Sequence, residues 1–297
     1  MPAWTGLLPF FAFTGLGLLM PIGFLLWQSV RRTVDGPGHR DPVTQQMVHS
    51  TKTSFTFSNL HDSLTGINLT SLETSIKLSA ITAVLAAILG LALAQAVVSS
   101  KGGVLKQLVT TASAVTANFG GIPLAFIFIA TLDANAGTLS TFLKNHFGFS
   151  LRDDLHFQLY ELSGITLVYM YFLVPLMVLV IMPALEGIKA QWGEAAENLG
   201  ASRLQYWRWV AAPVLLPSFL GSLLLVFCAA FSAYATANAL NSSFALVTIQ
   251  IASIMSGNVI AGQENLGAAL AVDMIAIVLP LTLIYLWLQR RTSRWLA

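Results

Sequence analysis

The stretch "EAAENLGASRLQYWRWVAAP", Glu194 to Pro213, lies between two long apolar runs, and its reading decides the fold. It sets Glu194, Glu197, Arg203 and Arg208 close together in a chain that is only 9% charged. Glu194 to Leu199 has the composition of a short helix. Gly200 follows, a residue that accepts positive φ and closes a helix. Ser202, with Gln205 three residues on, is a capping-box pattern that starts a second helix from Arg203 to about Val210. Pro213 suits the first turn of the next helix, where its missing N–H costs nothing. Pro217 sits deeper, where a kink is expected. The stretch therefore reads as helix, sharp turn, helix.

Outward from this hairpin the chain is greasy. Its 297 residues are 56% hydrophobic, with a mean hydropathy of +0.73. Several uncharged runs exceed the roughly 18–20 apolar residues that cross a bilayer as a helix. Six spans are expected, at about 6–30, 72–98, 106–131, 162–185, 213–240 and 267–288. Backbone amides in hydrocarbon must pair internally, which favours helices, and the period-two alternation of a barrel is absent. The expected fold is an all-α integral membrane protein with six transmembrane helices and the hairpin between spans four and five. Residues 1–69 read as an N-terminal helix and a long extracytoplasmic loop, 70–288 as a core of five spans, and 289–297 as a short basic tail. The apolar N-terminus lacks a basic leader region and is long for one, so it reads as a retained span.

Six spans put both termini on one side. The loop at 99–105, the hairpin loop at 186–212 and the C-terminus, with Lys106 just inside a span, hold Lys101, Lys106, Lys189, Arg203, Arg208, Arg290, Arg291 and Arg294. The opposite side holds Arg31, Arg32, Arg40, Lys52, Lys144 and Arg152. Long loops count little in the positive-inside rule. The hairpin and both termini are therefore placed in the cytoplasm, with Arg31 and Arg32 on the unfavourable side. A net charge of +2 gives no support to a nucleic-acid partner. The single cysteine, Cys228, excludes an internal disulfide. The histidines His39, His49, His61, His146 and His156 all fall in outer loops, without metal-site spacing.

The small residues Ala195, Ala196, Gly200 and Ala201 permit close approach by another protein. Glu194 and Arg203 can pair across such a contact, and Tyr206, Trp207 and Trp209 can pack there or at the headgroup level. An interfacial amphipathic helix without a partner is the alternative from composition alone. The residues further resemble the EAA signature of ABC importer permeases, EAA-x3-G-x9-I-x-L-P. Glu194, Ala195, Ala196, Gly200 and Pro213 keep the spacing; Val210 and Ala212 replace the isoleucine and leucine. The resemblance extends over about 70–288. It implies a type I importer permease in which Glu194, Ala195, Ala196, Gly200, Ala201 and Arg203 form a coupling helix for a cytoplasmic ATPase dimer. It also implies a second permease, identical or different, and an extracytoplasmic solute-binding protein. ATP and Mg would be bound by the ATPase. This chain lacks the Gly-Lys pair of a phosphate-cradling loop and the HExxH, CxxC and GxSxG patterns.

Candidates for the solute route are Asn118, Tyr234, Asn238 and Asp273. "NFGGIP", Asn118 to Pro123, weakens the third span in mid-course. Either a close helix crossing or a break lining a cavity accounts for it. In "FSAYATANALN", Phe231, Tyr234, Asn238 and Asn241 fall near helical spacing, with Ser232 and Thr236 on a neighbouring stripe. A cavity and a helix interface explain these polar groups equally well. Asp273, about two turns into the last span, is costly there unless solvated or paired. An outer-interface position is the alternative. Thr70 and Glu73 form a second capping-box pattern, and Glu73 and Lys77 an i, i+4 pair. With Asp133, Glu161 and Glu264 near outer span ends, Asp273 favours a cationic, polyamine-like cargo within a layout resembling polyamine and iron permeases. A secondary transporter and a membrane anchor without a route are the competing classes.

Overall fold

The computed structural model describes residues 4–40, 47–100, 103–240, 245–256 and 264–296. Lys101 and Asn241 lie outside the described residues, as do the side chains of His39, Arg40, His49, Lys52, Glu264, Arg291 and Arg294. The helices are α1 (Trp4–Thr14), α2 (Met20–Ser29), α3 (Ser58–Ser63), α4 (Gly66–Ser99), α5 (Gly103–Asn118), α6 (Ile122–Leu132) and α7 (Thr138–Phe147). They continue as α8 (Leu162–Glu186), α9 (Ala190–Asn198), α10 (Arg203–Tyr206), α11 (Ala212–Phe231), α12 (Ala235–Ala239), α13 (Val247–Met255) and α14 (Glu264–Leu296). One π-turn, Gly15–Leu19, joins α1 to α2, and another, Trp207–Ala211, joins α10 to α11.

The fold is helical, as the composition requires. The segment after the first span adds one feature not read from sequence: β1 (Arg31–Arg40) pairs antiparallel with β2 (Met47–Phe55), from Arg31 opposite Phe55 to Arg40 opposite Met47. Five described helical runs are long and apolar enough to cross a bilayer: Pro9–Ser29, Gly66–Ser99, Leu162–Glu186, Arg203–Phe231 and Asn265–Leu288. The expected span at 106–131 is instead a bent pair, α5 and α6, meeting at 98°. Counted as one broken span, it brings the total to six. Gly120 and Gly121 cause the break: Gly121 has φ +82°, a left-handed conformation that glycine alone adopts without strain.

The chain forms two compact units. One comprises 1–73 and 245–277, the other 74–244 and 278–297. In the larger unit α8 is the core helix, packed against α5 and α11. Ile165, Val168, Tyr169, Leu173, Met177, Val178 and Ile181 along it are fully buried. Gly90 of α4 brings that helix against α8: a Cβ there would lie 2.6 Å from Met177 Cβ. Without a hydrophobic force between helices in lipid, such close backbone packing carries much of the association. In the smaller unit, Asn59 of α3 donates to Ser29 O at 3.1 Å and to Arg31 O at 2.6 Å, tying α3 to the end of the first span.

Three expectations need correction. The second helix begins at Gly66, so Thr70 is not its cap; its hydroxyl donates back to Gly66 O at 3.2 Å, one turn up. The fifth span does not run unbroken to 240. It stops at Phe231, turns through Ser232 to Tyr234, and resumes as α12. The hairpin's second helix is not a separate piece, because Arg203 to Phe231 is one continuous helical run.

Candidate functional site

The hairpin assembles as its residue types dictate. At the end of α9, Leu199 N donates to Ala195 O, Gly200 N to Glu197 O and Ala201 N to Ala196 O, at 3.1, 2.9 and 2.9 Å. Gly200, at φ +78°, makes the left-handed turn that permits this closure. Both bonds of the capping box are present: Gln205 N to Ser202 Oγ at 3.3 Å and Ser202 N to Gln205 Oε1 at 2.7 Å. Ser202 thereby launches α10. The π-turn follows where Pro213, lacking an N–H, interrupts the regular ladder just ahead of it.

No residue of α9 or α10 is buried. Glu194, Ala195, Gly200 and Arg203 are exposed, and Ala196 and Ala201 are half-buried. Glu194 and Arg203 are not paired with each other within the chain. Among the described residues, the side chains of Glu194, Glu197 and Arg203 have no hydrogen bond or ion pair. The ion pair near the hairpin is Lys106–Glu186, at 2.8 Å, tying the start of α5 to the end of α8. Leu199, Leu204 and Trp209 are 87%, 78% and 72% exposed. Sequence reasoning passed over both leucines. The available signal was their position flanking a turn whose amides are already satisfied, which leaves their side chains facing outward.

A second constellation lies where two helix breaks meet. Gly121 N, at the α5–α6 break, donates to Thr236 Oγ1 of α12 at 2.8 Å. Tyr169 of α8 donates its hydroxyl to Ala233 O, in the α11–α12 break, at 2.8 Å. Gly121 is 3.7 Å, measured from an added Cβ, from Ala235 Cβ. Freed backbone groups of both breaks are thus paired inside the protein, the condition under which irregular backbone is tolerated at membrane depth. Asn118, Tyr234 and Asn238 are all exposed on the elements that meet here. The Asn118 amide donates to Ala114 O, at 2.8 Å, within its own helix. Thr236 and Tyr169, which hold the junction, are buried.

Asp273 belongs to the smaller unit, beside Ser63 at the end of α3, whose hydroxyl donates to Leu60 O at 3.0 Å. Its Oδ2 is buried and has no hydrogen-bond partner among the described residues. Asn68 and Gln250, 3.4 Å apart, lie in the same unit. In the loop after α6 of the larger unit, Asp133 accepts from the Tyr160 hydroxyl at 2.7 Å and from the amides of Asn135 and Ala136, each at 2.9 Å. These bonds hold the Asp133 carboxyl below its ordinary value, with Tyr160 the largest cause, and the Tyr160 phenol is pushed up to about 12 by the same bond.

Residues 86–296 match the family described as "binding-protein-dependent transport system inner membrane component". Two curated relatives are each 27% identical over 159 residues. They are a putative ferric transport system permease protein of Haemophilus influenzae and a ferric transport system permease protein of Actinobacillus pleuropneumoniae. The match covers 53% of this chain but 24% and 22% of those proteins, so the chain spans about a quarter of the length of the curated relatives it matches. Among solved structures, a chain of a bacterial ABC transporter involved in the import of the acidic polysaccharide alginate superposes with a TM-score of 0.68 at 13% identity. The match covers 98% of this chain and 94% of that one. The same kind of transporter, in complex with an alginate pentasaccharide-bound periplasmic protein, gives 0.67 at 14%, covering 98% and 93%. At these identities the likeness is one of fold.

Proposed function

We propose that this chain, which belongs to the family of binding-protein-dependent transport system inner membrane components, is the permease subunit of an ATP-driven importer. In this reading the α9–α10 hairpin faces the cytoplasm with both termini and seats in an ATPase subunit. A second permease completes the route, and a solute-binding protein delivers the cargo outside. ATP and Mg belong to the ATPase pair.

The observation that carries the reading is the hairpin's construction. None of its helical residues is buried, its turn is satisfied by its own hydrogen bonds, and its second limb runs without interruption into a membrane span. A helix pair of that kind transmits displacement as a rigid body. Burial of Leu199 and Leu204 in a partner groove would contribute about 1.5–3 kcal/mol each. Glu194, with no partner among the described residues, supplies an acid for a basic group on the ATPase.

The cargo reading shifts. A polyamine-like cation finds no support among the matched relatives, which are ferric permeases. We favour ferric iron, delivered by the binding protein, as the substrate class. The route follows the junction of the two helix breaks, with Asn118, Tyr234 and Asn238 presented along it. Asp273 serves instead as a tie between α14 and α3.

Co-purification of the co-expressed ATPase with the full chain tests this reading. Glu194→Arg is expected to weaken retention of the ATPase by at least about tenfold, the loss typical of truncating or reversing a buried charge contact. Uptake in vesicles lacking ATP would instead favour a secondary transporter.

A further inference from the structure

We propose that Arg31 and Trp27 form a seat for the phosphodiester of one phospholipid headgroup, at the point where the first span leaves the membrane. Pro9–Ser29 is apolar over 21 residues, and none of its most apolar window is buried in the protein. Arg31 follows two residues after it. Its guanidinium lies over the Trp27 ring, with Cζ 4.8 Å from the centroid. That ring is held edge-on by Phe55 of β2, with centroids 5.2 Å apart at 83°. The backbone beneath is pinned by Asn59 through Ser29 O and Arg31 O. The guanidinium is therefore positioned rather than free to wander.

What it is positioned for follows from what it lacks. Arg31 Nε is buried and has no acceptor among the described residues. A cation held half-buried without an acceptor is expensive, and the cost is recovered when an anion docks on the fork. The neighbouring Arg32 is exposed and adds a second positive charge. Trp27 and Phe55 stand around the position, 47% and 68% exposed. Such a collar sits at the headgroup level of a bilayer. At that depth the abundant anion with planar oxygen pairs is the lipid phosphate, and bidentate guanidinium contacts suit it. This inference does not depend on the transport reading.

Native mass spectrometry of the detergent-released full chain, titrated with phosphatidylglycerol, tests it. Arg31→Met is expected to weaken the tightest lipid by about tenfold, as for loss of a charge-assisted pair. Arg32→Met, the same change of charge one residue on, is expected to stay within about twofold. Arg31→Lys keeps the charge without the fork and is expected to fall between, so the test survives if Arg31→Met folds poorly. Equal losses for Arg31→Met and Arg32→Met would overturn the seat in favour of diffuse attraction. Displacement of the lipid by inorganic phosphate at matched concentration would overturn it in favour of a soluble-anion site.

Discussion

Thr236 is a single hydroxyl on which two broken helices depend. It is buried and accepts the Gly121 amide. Replacing it with valine leaves that part-buried amide without its acceptor, a cost of about 1 kcal/mol. Thr236→Val is therefore expected to lower the thermal midpoint of the detergent-solubilised chain by several degrees, while Thr236→Ser keeps the oxygen and most of the stability. Asp133 and Tyr160 make a pH-sensitive counterpart outside the spans. The carboxyl is lowered from 3.8, so its stabilisation is complete above that value and is lost as pH falls through the lowered one. The phenol is raised from 10.0, so its share is complete below that value and is lost as pH rises through about 12. In a phenolate absorbance titration, Asp133→Asn is expected to return one tyrosine from about 12 toward 10. An unchanged titration would show that the bond does not persist in solution.

At the scale of elements, the hairpin was legible and the breaks were only half so. Gly200 and the Ser202–Gln205 pair encode their turn by local chemistry, and local chemistry survives any tertiary context. The continuity of Arg203 with Phe231 was not legible, because Pro213 read as the start of a new helix although a π-turn absorbs it. "NFGGIP" announced a weak point, but its partner, the turn at Ser232–Tyr234, carries no glycine or proline. That second break is held by contacts from α8 and α5–α6, distant in sequence, which no spacing rule reveals. The β1–β2 hairpin was missed for a related reason: its residues are polar and lack the alternation of a half-buried strand. Close packing of α4 on α8 rests on Gly90, whose Cβ position already falls on Met177. Gly90→Leu is expected to separate these helices and abolish monodisperse behaviour in size-exclusion chromatography, whereas Gly23→Leu, at a glycine with open space around it, is expected to change little.

For the whole molecule, composition settled the environment and the helical class, and the motif between spans four and five settled the family. What composition cannot supply is the cargo, since the polar residues on the proposed route are few and uncharged: Asn118, Tyr234 and Asn238. The central proposition is that a rigid, exposed elbow joins this bundle to an ATPase. The most direct measurement uses the chain's single cysteine. With Cys228 replaced by serine, Leu199→Cys or Leu204→Cys is introduced at the tip and the intact complex is treated with a short thiol cross-linker. The expected result is a covalent product with the ATPase subunit, and protection of the thiol from an impermeant maleimide applied outside intact cells. Labelling of that thiol from outside, with no ATPase product, would contradict it.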